Sequence, residues 1–223
     1  MHLTPDEAIL WQHGWVKLNL TLAFTWLVMA LLVAGSVYVT RQLARGGARS
    51  RWQHVAEILV LGVRGQMREI GLREPDRQLP FVGTLFLFVL LSNVLFIVPG
   101  FHPPTSSLST TAALALCVFL AVPVFGVRAL GWRAYLRRFL HPHFLLLPIN
   151  IIAELSRTLA LAVRLFGNMM SAAMVGALML GVIPLVFPAF LDALGLLTGV
   201  VQAYIFAVLA TVFVAAGVSG SET

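Results

Sequence analysis

The chain has 223 residues, of which 59% are apolar and only 11% charged. Soluble domains carry charge on about a quarter of their residues, so an ordinary soluble fold is excluded. The formal charge of +6 has the sign of a nucleic-acid binder. Its basic residues, however, sit in two short connections between long apolar runs, the pattern of a polytopic membrane protein with no nucleic-acid partner.

In chain order, Met1 to Gly14 is a polar lead-in with Asp6 and Glu7 and no Lys or Arg, taken as external. A first transmembrane span is expected over residues 15–40; it is too long for a secretory leader and is followed by Arg41, Arg45, Arg49 and Arg51. Residues 41–78 hold eight of the fifteen Lys and Arg, which assigns this loop to the cytoplasm. Within it Val55, Ile58, Leu59 and Leu61 alternate with Glu57, Arg64, Arg68 and Glu69, the signature of an amphipathic helix on the membrane surface. The run from Arg73 to Gln78 reads as a turn.

A second span is expected over 79–98, with Ser92 and Asn93 near its outer end and Pro99-Gly100 closing it. An external Ser/Thr-rich loop follows to Thr111, overlapping a third span over 108–127 in which Pro123 should kink or end the helix. Residues 128–144 form a second basic, cytoplasmic loop, and His141-Pro142-His143 within it lacks a third metal ligand nearby. A long helix is expected over 145–182, then an external turn shaped by Pro184 and Pro188, then a last span over 191–218. Twelve of the fifteen Lys and Arg thereby fall on the cytoplasmic side, with the N-terminus outside and the C-terminus inside. The fold class is all-α and polytopic: one membrane domain of about five transmembrane helices plus one interfacial helix.

The penultimate helix is the informative one. About 35 residues at 1.5 Å each exceed a hydrocarbon core of about 30 Å, so the helix must tilt steeply or extend beyond the bilayer. Arg157, Arg164, Asn168 and Ser171 fall on one narrow polar stripe along it. An arginine at membrane depth costs a few kcal/mol or more and usually marks a function. No phosphate loop, paired carboxylates, or nucleophile beside a histidine base is present, so no catalytic residue, cofactor or metal site is assigned. Cys117, the single cysteine, reads as a small packing residue. The intramembrane polar set is instead that of an ion path: Asn93, Glu154, Arg157, Arg164, Asn168, Ser171, Asp192, Thr198 and Gln202.

Pro148-Ile149-Asn150, then Glu154, then Arg164-Leu165-Phe166-Gly167-Asn168-Met169 resembles the signature of subunit a of the rotary F-type ATP synthases. Gln202-Ala203-Tyr204-Ile205-Phe206 resembles that family's last helix. The resemblance covers most of the chain from about Trp52 onward. It implies a stator subunit in a bacterial inner membrane that couples proton or sodium flow to rotation. Its partners would be the c-ring subunits, the peripheral-stalk subunit b, the rest of the complex and the lipid bilayer.

By the same resemblance the long helix and the last helix face the ring. Arg164 separates two half-channels and favours release of the ion bound to a ring carboxyl, with Gln202 packed beside it. Glu154 and Arg157 either line the inner half-channel or form a local pair. Asn168 either orients Arg164 or joins two helices. Asp192 is either a residue favoured by the helix dipole or an entrance group.

The chain also departs from the family pattern. Ala173, Gly195 and Phe96 stand where many members carry protonatable residues of the outer relay. A water-lined route by Ser171, Asp192, Asn93 and the Ser/Thr loop, or sodium as the coupling ion, would be compatible with that loss. The competing class is a secondary transporter whose Arg164 binds an anionic substrate. The internal repeats common in such proteins are not seen in this sequence.

Overall fold

The computed structural model describes residues 9–13, 16–44, 51–72, 75–98, 100–133, 135, 147–180 and 187–218. The His141-Pro142-His143 loop and the turn at Pro184 lie outside them.

The chain opens with a small antiparallel hairpin, β1 (Ile9–His13) on β2 (Val16–Asn19), in which Trp11 pairs with Leu18 and His13 with Val16. The first membrane helix, α1, therefore starts at Leu20 and runs to Ala44. Val16-Lys17-Leu18-Asn19 alternates apolar and polar with a period of two, which suits a strand and leaves Lys17 outside the span. Arg41 in the last turn of α1 complements the negative end of the helix dipole.

The amphipathic stretch forms α2 (Arg51–Glu69). Its end is a Schellman cap: Leu72 N–H donates to Met67 O (3.1 Å) and Gly71 N–H to Arg68 O (3.0 Å), with Gly71 at φ +97°. The cap brings Leu72 and Met67, both buried, into one apolar cluster with Val82, Ala207 and Ala215. Val55, Ile58, Val60 and Leu61 remain exposed along the rest of the helix.

Helix α3 runs from Pro75 to Val94, so residues 75–78 belong to its first turn rather than to a free turn. Proline fits a first helical position, where its missing N–H costs nothing, and Asp76 there faces the positive dipole end. Asp76 also accepts from Arg64 on α2 at 2.8 Å. Two 3-10 turns, Leu95–Ile97 and Pro104–Ser106, connect α3 to α4 (Leu108–Leu130). Helix α4 passes through Pro123 and stops at Gly131, whose φ of +82° only glycine adopts freely.

Helix α5 spans Leu147–Leu180, 34 residues, and α6 spans Phe187–Val218, 32 residues. Among the described residues, five helices are long and apolar enough to cross a membrane: Leu20–Arg41, Pro75–Ile97, Leu108–Leu130, Ile152–Gly176 and Ala193–Val218. Helix α6 is the centre of the bundle, packing on α3, α4 and α5. Leu85 and Val89, Ala115 and Val118, Leu161 and Leu165, and Ala203, Phe206 and Ala210 form the shared core. The alanines of α6 let its neighbours approach closely, as small residues do between membrane helices. Close approach is extreme at Gly217, where an added Cβ would meet Val122 Cγ1 at 2.9 Å and Val122 O at 3.1 Å.

Candidate functional site

Helix α5 divides by burial into two faces. Thr158, Leu161, Ala162, Leu165 and Met169 are buried against the bundle at three- and four-residue steps. The opposite side leaves Leu155, Leu159, Val163 and Val175 exposed, and Arg157, Arg164 and Ser171 are exposed with them. Arg164 has no ion pair or hydrogen bond among the described residues. Arg157 and the Glu154 carboxylate likewise have no partner among the described residues, so the local pair between them is not formed; Glu154 is half-buried, and only its backbone O accepts, from Thr158 Oγ1 at 3.0 Å. Ser171 Oγ turns back onto Gly167 O at 2.8 Å.

Helices α5 and α6 run antiparallel, and three contacts set their register. Asn168 Nδ2 donates to Thr198 O at 3.4 Å, Met169 Cε reaches the Cα side of Gly199, and Ala172 Cβ lies beside Gly195. One further turn along that register brings Arg164 level with Gln202 and Ala203. Gln202 is buried, at 6% exposure, and its Nε2 has no hydrogen-bond partner among the described residues. A buried unpaired amide costs about 1–3 kcal/mol, so such a group wants a partner outside the described chain.

The end of the site nearest the α3–α4 connection is closed by a polar network. Asn93, 1% exposed, donates through Nδ2 to Gly199 O at 2.8 Å and accepts at Oδ1 from Thr105 Oγ1 at 2.8 Å. Gly199 is required there, because a Cβ would stand 2.9 Å from Asn93 Cβ and 3.0 Å from Met169 Cε. At Gly195 the space a side chain would use is faced by the Phe96 ring, 3.4 Å from an added Cβ. Phe96 and Gly195, two of the three positions lacking a protonatable group, thus touch each other.

Sequence reasoning did not single out Gly199, and it named Met169 only as part of the signature run and Thr105 only within the Ser/Thr-rich loop. The four-residue spacing of Gly195 and Gly199 was a usable sign of close helix approach. Thr105 had no comparable sign, because hydroxyls in a loop are ordinary. Asp192 lies in α6 as its sixth residue, beyond the first turn where the dipole acts, and its side chain lies outside the described residues.

A membrane bundle whose longest helix presents the unpaired Arg157 and Arg164 on an exposed, largely apolar face is the framework of an ion-translocating polytopic subunit. Residues 22–215 match the family model described as ATP synthase A chain. The chain is 55% identical, over 100% of its length and 96% of the relative, to "ATP synthase subunit a" of Albidiferax ferrireducens. It is 57% identical to "ATP synthase subunit a 2" of Acaryochloris marina, over 97% of this chain and 92% of that one. A further relative, "ATP synthase subunit a 1" of Chlorobium luteolum, is 57% identical over 97% of both. The chain belongs to the ATP synthase A chain family, the ion-translocating membrane stator subunits of F-type ATP synthases.

Proposed function

We propose that the face of α5 bearing Arg164 is turned toward the carboxyl-bearing helices of a c-ring, and that Arg164 couples ion flow to ring rotation. The observation that carries this reading is an exposed, unpaired arginine among lipid-length apolar neighbours. A lipid-facing arginine at that depth would cost several kcal/mol, whereas a partner carrying carboxylates makes the same exposure favourable.

The mechanism follows from electrostatics. At about 4 Å and an effective dielectric constant near 20, a fixed cation attracts a carboxylate by about 4 kcal/mol, roughly three pKa units. That suffices to drive a proton or a sodium ion off a ring carboxyl as it arrives. The bare carboxylate then moves on and reloads from the second half-channel, while an ion-loaded, neutral carboxyl gains nothing from Arg164. Arginine serves here because its guanidinium stays charged when desolvated. Gln202 lies level with Arg164 along the α5–α6 register, and its buried side chain packs behind the face that presents Arg164. Glu154 and Arg157 belong to the inner half-channel, and Asn93, Ser171 and Asp192 to the outer one. Asn168 sets the spacing of α5 and α6. The complex sits in a bacterial inner membrane with subunit b beside this chain, the N-terminus outside and the C-terminus in the cytoplasm.

Disulfide crosslinking in the assembled complex tests the orientation, with Cys117→Ala as background. Exposed Ser171→Cys and Val201→Cys should join a cysteine placed next to the ring carboxyl. Buried Ala203→Cys should not. Reaction at Ala203 alone would place the ring elsewhere.

A further inference from the structure

The segment between α3 and α4 behaves unlike a surface loop. Pro103, Pro104, Thr105, Ser106 and Ser107 are all buried, and the 3-10 turn they form packs against α5 as well as α4, α3 and α1. Thr105 is fully buried, and its hydroxyl goes to Asn93. We propose that Thr105 is a positioning residue for ion entry from the outer side, acting by fixing which way the Asn93 amide points. This rests on the reading of the α5–α6 face as the ion path.

The polarity of the chain of bonds explains why the hydroxyl matters. Gly199 O can only accept, so Asn93 must turn Nδ2 toward it and Oδ1 away. Oδ1 then needs a donor, and Thr105 is the group that provides one. Without that hydroxyl, Oδ1 is a buried acceptor with its partner lost, and the amide is held at one end only, by Nδ2 on Gly199 O. An amide held at one end swings more freely, and its hold on Gly199 O, and with it the seat of α6 on α3, loosens.

The consequence reaches the ion path because α6 is held from two sides at consecutive carbonyls. Asn93 on α3 holds Gly199 O at 2.8 Å, and Asn168 on α5 holds Thr198 O at a stretched 3.4 Å. The second bond has no slack, so it is the first to be lost when α6 moves. Gln202 follows Gly199 by one turn, and Ser92 precedes Asn93. Both Ser92 Oγ and Gln202 Nε2 are buried without partners among the described residues. Two unpaired polar atoms within a turn of the Asn93–Gly199 bond, a hydroxyl and an amide N–H donor, are suitable contacts for water on the ion path. Their separation depends on the seat of α6 that Thr105 secures.

The test uses the whole complex in liposomes, comparing wild type, Thr105→Val, which keeps the shape and removes the hydroxyl, and Thr105→Ser, which restores it. ATP synthesis is measured against external sodium at fixed pH, and against external pH at fixed sodium. Thr105→Val should raise the half-saturating external concentration of the coupling ion by about three- to ten-fold, the size of one lost hydrogen bond. It should lower the saturated rate less than two-fold, and Thr105→Ser should return the value to within about two-fold of wild type. A role in packing alone would reduce assembled complex and maximal rate together and leave half-saturation in place. Half-saturation unmoved in both titrations overturns the proposal, as does a shift that Ser fails to reverse. If Val does not assemble, Thr105→Cys carries the same comparison with a weaker donor. Arg164→Gln runs in parallel: if it still transports, the reading of the face fails, whereas a dead Arg164→Gln with an unshifted Thr105→Val removes only the role of Thr105.

Discussion

Gly199 is the residue at which Asn93 and Met169 both meet α6. The terminal methyl of Met169 can turn aside, but Asn93 Cβ is held by a helix and by two hydrogen bonds of its amide. Gly199→Ala should therefore destabilise the assembled subunit by about 1–3 kcal/mol, the usual cost of forcing a methyl into a filled space. Gly195→Ala, whose nearest neighbour is a ring edge at 3.4 Å, should cost much less. Thermal denaturation of the purified complex checks the pair, and equal midpoints would contradict the packing described. Asp192 stands past the first turn of α6, so a dipole cap worth about 0.3–1 kcal/mol is not available to it. As an entrance group it should matter to flux instead: Asp192→Asn should slow ion uptake at low external sodium or proton concentration and leave coupling intact. Identical flux curves against both ions would remove Asp192 from the path. Sodium-dependent transport by the wild type would make sodium the coupling ion, in keeping with Ala173, Gly195 and Phe96.

At the scale of elements, the stripe of Arg157, Arg164, Asn168 and Ser171 was legible because a helix converts spacing directly into direction. The structure separates that stripe further: Arg157, Arg164 and Ser171 are exposed while Asn168 is half-buried and bonded to α6. The five apolar spans were legible from length alone, because a run of about 20 apolar residues matches the thickness of a bilayer and little else. Two features were not. The hairpin of Ile9–Asn19 is too short and too rich in aromatics to stand out beside the apolar run it precedes. Proline is the other: Pro75, read as part of a turn, starts a helix, while Pro123 lies inside one. Its effect depends on which carbonyl loses its partner, and sequence does not show that. The orientation of the helices is a separate matter, argued from twelve of fifteen Lys and Arg on one side. A reporter fused after Thr223 should respond as cytoplasmic, and one before Met1 as external. The reverse pair would invert both half-channels.

Across the whole molecule, burial is distributed to serve the last two helices. Half of the α6 span is buried, against 11% of the α1 span, so α1 contributes little to the core, while α6 packs on α3, α4 and α5, and α4 packs on α5 as well. Helices α3 and α4 brace α6 from behind through Val89, Val118 and Phe206, and the buried Pro103–Ser107 segment wedges the outer end. What stays outside this packed body is the face with Arg164. The direct test of that division is ATP-driven ion transport by reconstituted complexes carrying Arg164→Gln, with assembly checked by the recovery of every subunit. The account predicts full assembly and transport reduced at least a hundred-fold, since about 4 kcal/mol of carboxylate attraction is removed. Arg164→Lys should be impaired nearly as severely. Transport at the wild-type rate by a fully assembled Arg164→Gln complex would contradict it.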